Sequence, residues 1–193
     1  MVRPEDVLAY WLDELEPKHW YVADPAIDKA ITERFETAWD RAMEGSLSLW
    51  LTYPSGTLAY IILTDQFSRN MFRDTGRAFS SDMAALTAAK MAVSKGWDMR
   101  IDPPARQFFY MPLMHSETLA DQDRAVRLIA SRLPEGGANT LLHAQAHREV
   151  IRRYGRFPTR NEALGRENCR GEAAYLAEGG YGAVVRSLKE SVA

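Results

Sequence analysis

Two segments of this sequence carry residue types able to hold or transform a charged ligand. The first is Leu63-Thr64-Asp65-Gln66-Phe67-Ser68-Arg69-Asn70-Met71-Phe72-Arg73, which alternates polar groups with large apolar ones. Asp65 and Arg69 are spaced i, i+4, and Arg69 and Arg73 repeat that spacing, so each pair shares a helix face. One reading is a guanidinium pair held by Asp65 and presented, beside Asn70, to an anion, because the planar guanidinium fork matches carboxylate and phosphate oxygens. The other is a helix end that Asp65–Arg69 locks and Asn70 caps. The second segment is Tyr154-Gly155-Arg156-Phe157-Pro158-Thr159-Arg160-Asn161. Gly155 and Pro158 fix a tight loop in which Arg156 and Arg160 flank Phe157. Thr159 and Glu162 fit a capping box, which would start a helix whose N–H groups attract anions. The expected chemistry is a phosphate or carboxylate subsite lined by Arg156, Arg160 and Asn161; the plainer reading is a structural loop.

Proton-transfer groups are few. His115, two residues before Glu117, could act as a general base oriented by that carboxylate. His143 and His147 have the i, i+4 spacing by which two imidazoles can share a metal, but Ala144 stands where a metalloprotease motif needs glutamate. No metal is expected, and His147 remains as a second candidate base. Asp65, Arg69, Asn70, His115, Glu117, His147, Arg156, Arg160 and Asn161 all fall at or near expected helix ends. The expectation is one polar cleft that takes an anion at its Arg156–Arg160 side.

The elements that must position these groups are helices. Asp24-Pro25 reads as an N-cap followed by proline at the first helical position, and Ile27, Ile31, Phe35, Ala38 and Ala42 form one stripe. Further helices are expected over about Val7–Leu15, Thr57–Phe67, Ser81–Gly96, Thr118–Leu133, Asn139–Tyr154 and Cys169–Ala177, the last ending at Gly179-Gly180. Pro112 should kink or end the aromatic helix around Phe108–Met111. No stretch alternates as a strand does. Trp11, Phe35, Leu63, Phe67, Leu86, Phe109, Leu142, Tyr154 and Leu176 are the expected core. Helix openings at Asp82 and Asp121 lie 39 residues apart, a spacing that fits stacked helical hairpins. The fold expected is all-α, a single domain over 1–193.

Composition narrows the function further. The chain has 193 residues, 46% hydrophobic and 26% charged, with a net charge of −2. That balance supplies no field to draw it onto nucleic acid or anionic lipid. Cys169 is the lone cysteine, so no intrachain disulfide forms. The apolar run Leu58–Leu63 is far too short for a bilayer, which takes about 20 residues. A cytoplasmic protein without membrane attachment is expected. No Gly-rich nucleotide loop, nucleophile elbow or CxxC is present, so no cofactor is expected.

Val7-Leu8-Ala9-Tyr10-Trp11, Leu63 to Arg73, Phe108 to Glu117 and His147 to Arg166 together resemble a family of bacterial and fungal proteins of unassigned function. That family is grouped with the tetratricopeptide-like helical superfamily. The resemblance spans nearly the whole chain and implies an all-α, helical-hairpin fold; it implies no reaction. Ser68 stands where the family pattern has proline. Thr159 stands where it has histidine, so any activity that relies on that histidine would be compromised here. Two functions follow as expectations: a helical-hairpin protein binding a peptide or small anionic ligand, or a hydrolase-like enzyme using His147 or His115 as base while arginines hold an anionic substrate.

Overall fold

Asp24 closes the start of the longest helix as its sequence demands. Its carboxylate accepts the backbone N–H groups of Ala26 at 2.8 Å and Ile27 at 3.4 Å, and Pro25 occupies the first helical position. The structure, a computed structural model, describes residues 1–134 and 136–191. All regular elements among these residues are helical, with α-helices joined by 3₁₀ turns and two wider π-helical segments. The all-α expectation holds. The backbone divides into two compact units, Met1–Pro112 and Leu113–Ala193, each described by itself.

In the first unit, α1 (Pro4–Leu8) runs into a π-helical segment, Ala9–Glu14; α2 spans Pro25–Met43 and α3 Pro54–Ile61. α3 continues as a second π-helical segment, Ile62–Phe67, and then as the one-turn α4, Ser68–Met71. α5 is Asp82–Ser94. Residues Thr57 to Ser68 are all buried, because α1 and α5 pack on α3 and α2 packs on α4 and the second π-helical segment. An element enclosed on all sides is hydrophobic all round, as Leu58–Leu63 is.

Widening the helix to π geometry shifts the backbone ladder, and side chains take up the carbonyls at these places. The indole Nε1 of Trp20 donates to the carbonyl of Trp11 at 2.7 Å. The Ser68 hydroxyl donates to the carbonyl of Thr64 at 3.0 Å, and Ser81 donates to the same oxygen. An aromatic core joins the segments: Trp11 meets Phe67 edge-on at 5.3 Å, and Phe35 lies 4.8 Å from Phe67 between ring centroids.

The boundary between the units falls within α6, Met111–Met114, where Pro112 sits in the first turn rather than ending a longer helix. The preceding Phe108 and Phe109 lie in a 3₁₀ turn, Ala105–Phe109, and are fully buried. In the second unit, α7 (Leu119–Arg132) and α8 (Ala138–Tyr154) form a helical hairpin, and Arg148 approaches Asp123 at 3.7 Å along it. Gly155 ends α8 at φ 68°, a left-handed conformation that costs glycine little. α9 is Arg170–Ala177 and α10 is Gly180–Glu190. α10 packs on α8, and Ala146, Val150, Ile151, Phe157, Tyr175 and Val184 form the core there.

Three sequence expectations need correction. No α-helix begins at Thr159: Pro158–Arg160 is a 3₁₀ turn, followed by further turns to Gly165. The helix expected to be the last ends at Ala177 as read, but a further helix, α10, starts at Gly180. Of the expected core, Trp11, Phe35, Leu63, Phe67, Leu86 and Phe109 are buried, whereas Leu142, Tyr154 and Leu176 are half-buried.

Candidate functional site

The first polar segment lies wholly in the first unit, and its arginines are held by carboxylates. Asp65 is fully buried within the second π-helical segment. It accepts from the Gln66 side-chain amide, and Arg69 Nη1 lies 3.2 Å from its Oδ1. Arg69 also bonds the Asp65 backbone carbonyl, and its Nη2 sits 2.9 Å from Asp82 at the start of α5. Arg73 does not share Asp65. It forks onto Asp28 of α2 at 2.7 and 2.8 Å, and Asn70 donates to the same carboxylate at 2.8 Å instead of capping its own helix. Burial pushes the Asp28 carboxyl up, but the hydrogen bonds from Arg73 and Asn70 outweigh it and leave it below the usual range. Asp28 and Asp82, the two carboxylates the sequence reading missed, tie α2 and α5 to the segment. The arrangement is a three-helix ionic lock.

The second polar segment lies in the second unit together with the candidate bases. Glu117 is its organiser. One oxygen accepts the backbone N–H of Phe157 at 2.8 Å, and the carboxylate takes both ends of the Arg166 guanidinium at 2.8 and 3.0 Å. Burial pushes the Glu117 carboxyl up. The bonds from Arg166 and Phe157, with the charges of Arg166 and Arg160, overcome this and hold it below the ordinary range. The latch fixes the loop after α8, so the Phe157 ring is 5.4 Å from the ring of His147, and Arg160 lies over Phe157 at 4.5 Å. Arg160 Nη2 donates to the backbone carbonyl of His115 at 3.0 Å, and the rings of His115 and His147 are 5.9 Å apart. Glu117, His147 and Arg160 thus meet at Phe157, and His115 joins them through its carbonyl bond to Arg160 and its ring beside His147.

Arg156 and Asn161 belong to a neighbouring cluster. Arg156 forks onto the buried Glu172 at 2.6 and 2.7 Å, and Asn161 donates to Glu172 at 3.3 Å and to Asn168 at 2.7 Å. Glu172 also accepts the Cys169 N–H at 2.9 Å, starting α9. Arg156, and then the Cys169 N–H, pull the Glu172 carboxyl down to about 2 from its ordinary 4.5. A carboxyl depressed by folding stabilises the fold fully above its unfolded value and loses that stabilisation as pH falls toward the folded one. The second unit is therefore expected to lose stability from about pH 4.5 down to about 2. Glu172→Gln should lower stability at neutral pH and flatten the slope in that window. Circular dichroism of acid titrations checks this, and an unchanged slope would contradict it.

Tyr181 of α10, like Glu172, is a site residue that the sequence analysis does not single out. Its ring stacks on His147 at 4.9 Å and on His143 at 5.8 Å, and its hydroxyl lies 2.6 Å from His143 Nδ1. Tyr181, Val184, Val185 and Leu188 recur at helical spacing and were the available signal. His143 and His147 do share a helix face, as their spacing requires. No group of three or more potential metal ligands occurs among the described residues.

These features define an all-helical protein with carboxylate-held arginines in its first unit and a histidine–arginine cluster in its second. The chain belongs to the family described as a bacterial protein of unknown function (DUF924), whose pattern matches residues 7–180. A solved structure of a protein of unknown function from Agrobacterium tumefaciens is similar, with 36% identity and a TM-score of 0.84. The match covers 91% of this chain and 97% of that one. No curated protein matches. No helix among the described residues is long and apolar enough to cross a membrane.

Proposed function

We propose that this chain is a helical-hairpin binding protein that takes a small anionic ligand or a peptide carboxylate at the histidine–arginine cluster of its second unit. The observation that carries this reading is the Glu117 latch. By bonding the Phe157 N–H and Arg166, it sets Arg160 and His147 against one aromatic ring, with His115 held beside them by Arg160 and His147. A guanidinium stacked on an aromatic face is pre-oriented for planar or tetrahedral oxyanions. The α7–α8 hairpin supports a tetratricopeptide-like arrangement, in which stacked hairpins bind along helix faces. A cytoplasmic setting and a single folding domain over 1–193 belong to the same reading.

A hydrolase-like activity is the second reading, favoured by the approach of His115 to His147 at 5.9 Å beside an arginine. There His147 or His115 would take up a proton while Arg160 holds the substrate. Glu117, committed to Arg166 and Phe157, would position the loop rather than orient a base. Neither reading uses position 159.

Thermal-shift titration with inorganic phosphate, citrate and an acidic tetrapeptide tests the binding reading, because a ligand that binds only the folded state raises its apparent stability. Arg160→Ala is expected to weaken the effective anion by about 10- to 100-fold, the worth of a charged hydrogen bond. Equal shifts for both proteins would remove Arg160 from the site.

A further inference from the structure

The histidines of α8 are gripped by a residue from another helix. His143 and His147 lie on one face of α8, and Tyr181, near the start of α10, stacks on both rings and places its hydroxyl 2.6 Å from His143 Nδ1. We propose that Tyr181 is a positioning residue of the histidine site, holding His143 as the tautomer that carries its proton on Nε2. This deepens the anion-binding reading and rests on it.

The chemistry sets the direction of the bond. A neutral imidazole has one N–H donor and one bare nitrogen acceptor, and a phenol can either donate or accept. The phenol O–H is the better donor of the two groups and the bare imidazole nitrogen the better acceptor, so the short contact is O–H donating to Nδ1. Its length sits at the strong end of the hydrogen-bond range. The surroundings favour the same state. Burial pushes the Tyr181 hydroxyl well above its ordinary value, which keeps the donor proton in place. Burial, with the charge of Lys189, pushes His143 down, which keeps its Nδ1 lone pair available. With Nδ1 engaged by Tyr181, His143 presents a donor at Nε2, the polarity an anion accepts. Stacking on the same ring fixes the plane of His147, which the sequence reading marked as a candidate base.

Long-range proton–nitrogen NMR spectra of the full chain, recorded above neutral pH, read the tautomer directly. In the wild type, His143 is expected to show an unprotonated Nδ1 accepting a hydrogen bond and a protonated Nε2. Tyr181→Phe keeps the ring stack and removes only the hydroxyl, so both tautomers of His143 should then be populated and its two nitrogen signals should converge. A protonated Nδ1 in the wild type, or an unchanged His143 pattern in Tyr181→Phe, would overturn the assignment. Tyr181→Leu removes the stack as well and should additionally shift the His147 ring signals; unmoved His147 signals would overturn the second half of the proposal. Titration of the wild type and Arg160→Ala with phosphate, citrate and the acidic tetrapeptide reads the anion site separately. The expected tautomer result with no saturable effect of any of the three would sink the binding reading while leaving Tyr181 as the residue that sets His143.

Discussion

Trp11→Ala is expected to lower the unfolding free energy by about 3–5 kcal/mol, the range for emptying a buried tryptophan position. Trp11 is fully buried in the π-helical segment that follows α1. Its ring stacks on Trp20 at 6.3 Å and meets Phe67 and Phe108 edge-on at 5.3 and 6.0 Å. Three further aromatic rings thus lean on one side chain, and none can fill the void without leaving its own neighbours. Phe35 and Tyr10 complete the cluster through Phe67, so the damage should spread through the core of the first unit. Urea unfolding followed by tryptophan fluorescence measures it. A loss well under 1 kcal/mol would mean that this core is not the one described.

Asp65→Ala comes next, with an expected loss of about 3 kcal/mol, the lower end for stripping one partner from a buried ion pair. The lower end applies because Arg69 is partly exposed and keeps Asp82, 2.9 Å away. The Gln66 amide loses its acceptor as well. Asp65→Asn preserves the shape, so it should restore part of the loss by accepting from Gln66. Denaturant unfolding of both variants checks this ranking. If Asp65→Asn proved no better than Asp65→Ala, the hydrogen bonds to Asp65 would not be what holds the segment in its π-helical path.

What the sequence made legible was whatever is decided within a few residues. The Asp24-Pro25 cap, the stripe on α2 and the stop at Gly155 are short-range signals, and each appears as read. The capping-box pattern at Thr159 failed for a reason outside its own four residues. Asn161 is drawn to Glu172 and Asn168, and the N–H of Arg166 turns back to the Asn161 carbonyl, which closes the segment as turns instead of a helix. α10 was missed because Gly179, Gly180 and Gly182 mask the stripe of Tyr181, Val184, Val185 and Leu188 that follows.

The candidate site divides in the same way. Asp65 and Arg69 pair at i, i+4 as expected, but the partners that complete the lock, Asp28 and Asp82, come from other helices. The expected pair of arginines on Asp65 is for that reason divided, with Arg69 on Asp65 and Asp82 and Arg73 on Asp28. In the second unit, Glu117 was read as the partner of a histidine. A carboxylate of that reach instead takes the backbone N–H of Phe157 and the fork of Arg166, 49 residues away. Spacing cannot reveal such pairings, because the loop that creates them is itself folded by them.

The proposed function requires Arg160, His115 and His147 to act as one anion-binding surface beside Phe157. The most direct test follows the Arg160 side-chain Nε–H and the ring signals of His115, His147 and Tyr181 by NMR while inorganic phosphate and then an acidic tetrapeptide are added. One of these anions is expected to move all four sets of signals together along a single saturating curve, and Arg160→Ala is expected to displace the movement at both histidines to about 10- to 100-fold higher anion concentration. Saturable binding whose shifts leave Arg160 and both imidazoles in place, or no saturable shift with either anion, would contradict it.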